Sequence, residues 1–185
     1  MASSKNILNR LTGRDRRSIG RSNEVVALVL KQPALFAQLM QGLSDSDSLI
    51  RMRAADAAEK VSLRRPDLLE PFKSRLLRLA DEATEQELRW HLAQMVPRLH
   101  LSRKDRLRAA SAFRHYLGDQ SSIVKTSAMQ ALADLGGADD ELMPEVTELI
   151  TALTKVGTDA MRARGRKLLR QLKRSQTRSA RVTIS

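Results

Sequence analysis

The sequence predicts an all-α protein of about four helix pairs behind a single N-terminal capping helix. Three observations lead there. A six-position pattern of apolar, basic and small residues recurs four times at near-constant spacing. Aromatic residues make up 3% of the chain and β-branched residues are sparse, against a β-sandwich or barrel. The hydrophobic content of 42% is ample for a packed core, and 185 residues suit one short repeat array.

The pattern has an apolar residue at position 0, a base at +1, and small or apolar residues at +4, +7, +8 and +11. It reads Ile50, Arg51, Ala54, Ala57, Ala58, Val61; then Leu88, Arg89, Leu92, Met95, Val96, Leu99. It returns as Val124, Lys125, Ala128, Ala131, Leu132, Leu135 and as Met161, Arg162, Gly165, Leu168, Leu169, Leu172. The starting positions are separated by 38, 36 and 37 residues. At 100° per residue these offsets fall on one stripe, so each segment is a helix that buries one face.

A first apolar helix precedes each of these: about Pro33–Leu43, Pro66–Ala80, Lys104–Leu117 and Leu142–Val156. The polar turns Ser44–Ser48, Asp81–Glu85, Gly118–Ser122 and Gly157–Asp159 join the pairs. Gly118 and Gly157 suit left-handed caps, and Asp47, Asp119 and Asp159 suit the following N-termini. Pro33 and Pro66 fit a first turn, whereas Pro71 and Pro97 must bend or break their helices. Asn23–Gln32, with Val25, Val26, Val29 and Leu30, supplies the capping helix.

Helix pairs of about 37 residues with this second-helix pattern resemble HEAT repeats over Pro33–Lys173. The resemblance implies a right-handed α-α superhelix, an armadillo-like solenoid whose second helices line a concave binding face. HEAT second helices carry an acid before the base; Asp47 and Glu85 fit at −3, whereas Ser121 and Thr158 depart. The chain is also similar to small bacterial HEAT-repeat proteins, a resemblance that implies a fold and no reaction.

Net charge is +12, with a pI near 11.0. Residues 1–21 hold six bases and one acid, and 162–185 hold nine bases and no acid. The stretch between carries 18 bases and 20 acids, a net of −2. The expected organisation is therefore a flexible basic segment over 1–21, a repeat domain over 22–174 and a disordered basic tail over 175–185. The basic ends are candidate contacts for phosphates or an acidic partner: Arg14, Arg16, Arg17, Arg170, Lys173 and Arg174.

The concave face follows from the register. Positions +2, +6 and +9 lie opposite the buried stripe and +3 flanks them. Met52, Arg53, Trp90, His91, Gln94, Gln130, Arg164 and Lys167 are thus the candidate binding surface, centred on the chain's single Trp.

Little points to catalysis or a cofactor. The chain has no Cys, so neither disulfide nor thiolate metal site is available. His91 and His100 are nine residues apart and share no metal-binding helix face. The Asp139–Asp140–Glu141 run suits a helix N-terminus. The HEAT-like alkylpurine DNA glycosylases place aromatics and a carboxylate on the concave side. Here Gln94 follows Trp90 by four residues, and an amide cannot replace that carboxylate. No apolar run approaches a membrane span, and no apolar signal follows Met1. The expectation is a cytoplasmic, non-catalytic module binding a protein partner through its concave face, with no cofactor or small-molecule substrate. The alternatives are nucleic-acid binding through the basic ends, or a divergent glycosylase lacking its carboxylate.

Overall fold

The computed structural model describes residues 6–15 and 18–182. Among the described residues there are nine α-helices and no strand. They are α1 (Ser22–Lys31), α2 (Phe36–Gly42), α3 (Ser48–Ser62), α4 (Lys73–Glu82) and α5 (Gln86–Met95). After them come α6 (Arg103–Tyr116), α7 (Ser122–Gly137), α8 (Met143–Val156) and α9 (Asp159–Val182). The prolines act as their missing N–H dictates. Pro71 lies inside the 3-10 stretch Pro66–Phe72, and Pro97 turns the end of α5 into the 3-10 turn Val96–Arg98. The chain packs as two units, Met1–Leu76 and Leu77–Ser185, and the division falls inside the 22–174 span expected as one repeat domain.

In the first unit α1 and α2 both pack on α3. The stripe Ile50, Ala54, Ala57, Ala58, Val61 faces inward, with Val25, Val29, Phe36, Leu39 and Met40 opposite it in the core. Alanines at three stripe positions let the helices approach closely, and Phe36 fills the remaining space edge-on to Phe72, with ring centroids 5.9 Å apart.

Within 1–21, expected as a flexible segment, the described residues 6–15 and 18–21 include a 3-10 turn and buried side chains. Ile7–Arg10 form a 3-10 turn capped by Asn6, whose Oδ1 accepts from Leu8 N at 3.0 Å. Ile7, Leu8 and Leu11 are buried, and each such side chain removed from water contributes about 1.5–3 kcal/mol. Arg53 explains how a polar loop follows them. The residue is only 3% exposed, and its guanidinium donates to four backbone carbonyls: Leu11 at 2.9 Å, Thr12 at 2.7 Å, Asp15 at 2.9 Å and Ser18 at 3.0 Å. The loop approaches the planar group closely at two glycines with positive φ. A Cβ at Gly13 would lie 2.6 Å from Arg53 Nη1, and one at Gly20 would lie 2.8 Å from Cζ.

In the second unit α7 is central, packed against α5, α6, α8 and α9, while α8 and α9 also pack together. The stripes Leu88, Leu92, Met95, Val96, Leu99 and Val124, Ala128, Ala131, Leu132, Leu135 are buried throughout. In α9 Met161, Gly165, Leu168 and Leu172 are buried and Leu169 is half-buried.

The turns are braced by arginine. Arg89 donates from Nε to Ala83 O at 2.7 Å and from Nη1 to Asp119 Oδ2 at 2.6 Å. Its guanidinium stands 5.2 Å over the Tyr116 ring, and the Tyr116 hydroxyl donates to Ala80 O at 2.7 Å. Burial raises the Tyr116 pKa well above the ordinary phenol value. Arg106 pairs with Asp139 at 2.8 Å, and Asp139 Oδ1 accepts from Glu141 N and Leu142 N, the helix-entry role expected of that acidic run. Asp119 thus supplies, two residues early, the acid that the third repeat lacks at Ser121.

The glycine caps need correction. Neither Gly118 nor Gly157 has a positive φ. Successive i to i+3 bonds, Gly118 N to His115 O and Asp119 N to Tyr116 O at 3.1 Å each, keep the first turn right-handed. Gly157 is a close-approach glycine, since a Cβ there would sit 2.5 Å from Leu153 O and 2.8 Å from Met161 Cβ.

Candidate functional site

The helix α9 is built to present charge. Its apolar stripe lies against α7 and α8, and 100° per residue turns the rest outward. Arg162, Arg164, Arg166, Lys167, Arg170, Lys173 and Arg174 are all exposed. No Asp or Glu occurs after Asp159. Arg162 forms an ion pair with Asp159 one turn earlier. Among the described residues no carboxylate pairs with Arg166, Lys167, Arg170, Lys173 or Arg174. The helix also continues to Val182, where composition predicts a disordered tail from 175; residues 183–185 lie outside the described residues.

Lys167, Arg170 and Arg174 occupy successive turns of one outward lane, opposite the buried stripe. With Gln171 and Ser175 they line a cleft of about 580 Å³. A polar seam runs between this cleft and α7. Arg164 Nη1 donates to Gln130 Oε1 at 3.1 Å. Gln130 Nε2 donates to Asp134 Oδ1 at 2.9 Å, and Gln171 Nε2 donates to the same oxygen at 2.8 Å. A longer contact of 3.3 Å joins Gln130 Nε2 to Gln171 Oε1.

The structure therefore brings together Gln130, Arg164 and Lys167 of the expected surface. Trp90 is half-buried beside His91, with ring centroids 5.0 Å apart, and Gln94 is half-buried on the same helix. His91 itself is 5% exposed and so is not the surface residue expected. Arg53 is likewise removed from the expected surface, because its guanidinium is spent on the loop carbonyls. Met52 is half-buried in the first unit. At the basic N-terminus Arg14 is exposed, while Arg16 and Arg17 lie outside the described residues. Sequence reasoning does not find Asp134, Gln171 or Ser175. A signal for the first two exists at position +10 of the pattern, which they occupy in the third and fourth repeats.

No helix of the described residues is long and apolar enough to cross a membrane. No family model matches the chain, and no curated protein matches it. Among solved structures, an engineered protein is similar with a TM-score of 0.60 at 15% identity, over 91% of this chain and 78% of that one. At that identity the likeness concerns the fold alone.

Proposed function

We propose that this chain is a HEAT-like repeat protein that binds the phosphate backbone of nucleic acid through the outward face of α9. The observation that carries the reading is the run of seven exposed cations from Arg162 to Arg174 on a helix without an acid after its first residue. Six of them have no carboxylate partner among the described residues, Arg164 bonding only the neutral Gln130 amide, so their field is neutralised by solvent ions alone. Displacing such ions with phosphates is the main source of nucleic-acid affinity. Arginines at 162, 166, 170 and 174 recur every four residues, about 6 Å of helix rise, comparable to the separation of neighbouring phosphates on one strand. Arg guanidinium groups match phosphate oxygens in pairs. The reading is of a binding protein, with no acid–base or nucleophilic step.

Anisotropy of a labelled oligonucleotide across a salt series tests it. Affinity should fall steeply with salt, and the variant Lys167→Gln/Arg170→Gln/Arg174→Gln should flatten the log–log slope by about 0.7–0.9 for each phosphate no longer neutralised. An unchanged slope, or no binding at low salt, would overturn the reading. The half-exposed Trp90 supports a second reading, a protein partner on the face of α5. That interface should weaken with Trp90→Ala and respond little to salt.

A further inference from the structure

We infer that the nucleic acid held by α9 is RNA rather than DNA, with the carboxylate of Asp134 receiving a ribose 2′-hydroxyl. The inference rests on the backbone-binding reading above. Asp134 is an acid placed at the edge of a cationic surface. Arg164 and Lys167 are close by on the adjoining helix, and Arg164 reaches Gln130 at 3.1 Å. Among the described residues no cation pairs with Asp134. Its Oδ1 instead takes two side-chain amides, from Gln130 at 2.9 Å and Gln171 at 2.8 Å. Two amide donors thus fix the orientation of the group and leave its charge in place. Oδ2 accepts from no described residue.

A surface made only for phosphates gains nothing from such a group, because a carboxylate repels them. Its presence makes physical sense when the ligand carries a hydroxyl donor beside its phosphates. Gln171 is shared between the seam and the cleft, so whatever occupies the cleft lies against the amide that holds Asp134. Lys167, Arg170 and Arg174 supply phosphate contacts in that cleft, and about 580 Å³ accommodates a sugar-phosphate unit. The ribose 2′-hydroxyl is the group that separates RNA from DNA, and it can donate to Oδ2. A deoxyribose has nothing to donate, so for DNA the carboxylate is only repulsive. No Phe, Trp or Tyr occurs between Asp159 and Ser185 to stack a base. The selection therefore acts on the sugar and is independent of base sequence.

The test uses the full chain and three unstructured single strands of one sequence: RNA, DNA and 2′-O-methyl RNA, the last lacking the hydroxyl donor. At fixed salt RNA should bind roughly tenfold tighter than DNA, the scale of one hydrogen bond to a charged group. The 2′-O-methyl strand should fall to the DNA level. Asp134→Ala should weaken RNA binding and strengthen DNA binding until the two agree, with its thermal transition confirming that it folds. Equal wild-type affinities, full affinity for the 2′-O-methyl strand, or a folded Asp134→Ala that keeps the preference would overturn the inference. If that variant unfolds, the 2′-O-methyl strand decides. The triple glutamine variant should weaken both strands and leave their ratio intact. If it weakens neither, the reading of α9 fails and this inference with it.

Discussion

At Arg53 one buried guanidinium organises a loop that has no regular structure of its own. Four carbonyl oxygens converge on it, and Gly13 and Gly20 let the loop backbone approach it closely. Removing the group leaves those acceptors facing a void. Arg53→Ala should cost about 2–3 kcal/mol in urea unfolding, and trypsin should then cut between Arg10 and Arg21 in the native protein. Arg53→Lys should recover only part of that stability, since an ammonium cannot reproduce the planar fork. Asp139 makes a separate residue-scale prediction. The hydrogen bond from Arg106 holds its pKa below the usual value, burial opposes this, and the Leu142 and Glu141 N–H groups add to the lowering. At Asp119 burial pushes upward but is outweighed by the Ser121 N–H and by Arg89. A lowered folded-state pKa gives stability that is present above the unfolded value and lost as pH falls through the folded one. Stability measured from neutral pH downward should therefore decline below about pH 4. Asp139→Asn should be less stable at neutral pH and show a flatter acid limb.

Among the elements, the pairing of α8 with α9 depends on a missing side chain. A Cβ at Gly165 would run into Thr154 Oγ1, whose hydroxyl is committed to Ile150 O at 2.7 Å. Gly165→Leu should destabilise the second unit by about 1–3 kcal/mol through overpacking, visible as a lower thermal midpoint. The same position shows what is legible in the sequence. Periodicity alone puts Gly165 on the buried stripe, with Ala54, Met95 and Leu132, because an apolar face must point inward wherever a helix packs. The flanking position +3 is not legible in that way. It is inward at Arg53 and His91, half-buried at Ser127 and outward at Arg164. Helix periodicity gives an angle relative to a helix's own stripe, but not how far other segments close over that flank. At Arg53 the covering segment is a loop that binds through backbone carbonyls, which every sequence possesses. Its only signature is the pair Gly13 and Gly20. The cation face of α9 is legible from charge counting, whereas the Gln130–Asp134–Gln171 seam requires knowing which helices adjoin.

For the molecule as a whole, charge and packing are segregated. The interior span 22–161 is nearly balanced, while α9 carries an unneutralised face. Within the second unit α7 packs on four other helices, so opening it requires disrupting all of them. Hydrogen exchange should find the slowest amides of that unit in α7 around Ala128–Leu135, and faster exchange in α6, whose main neighbour is α7. Protection in α6 equal to that in α7 would count against this hierarchy. The division at Leu76 also makes the protein optically lopsided. Trp90, Tyr116 and Phe113 all lie beyond it, and the first unit holds only Phe36 and Phe72 as aromatics. Fluorescence excited at the red edge of the near-ultraviolet therefore watches the second unit while the first stays dark. Far-ultraviolet ellipticity weighs helices in both. Recorded on one sample, the two signals act as separate gauges, and any gap between their transition midpoints measures how independently the units come apart.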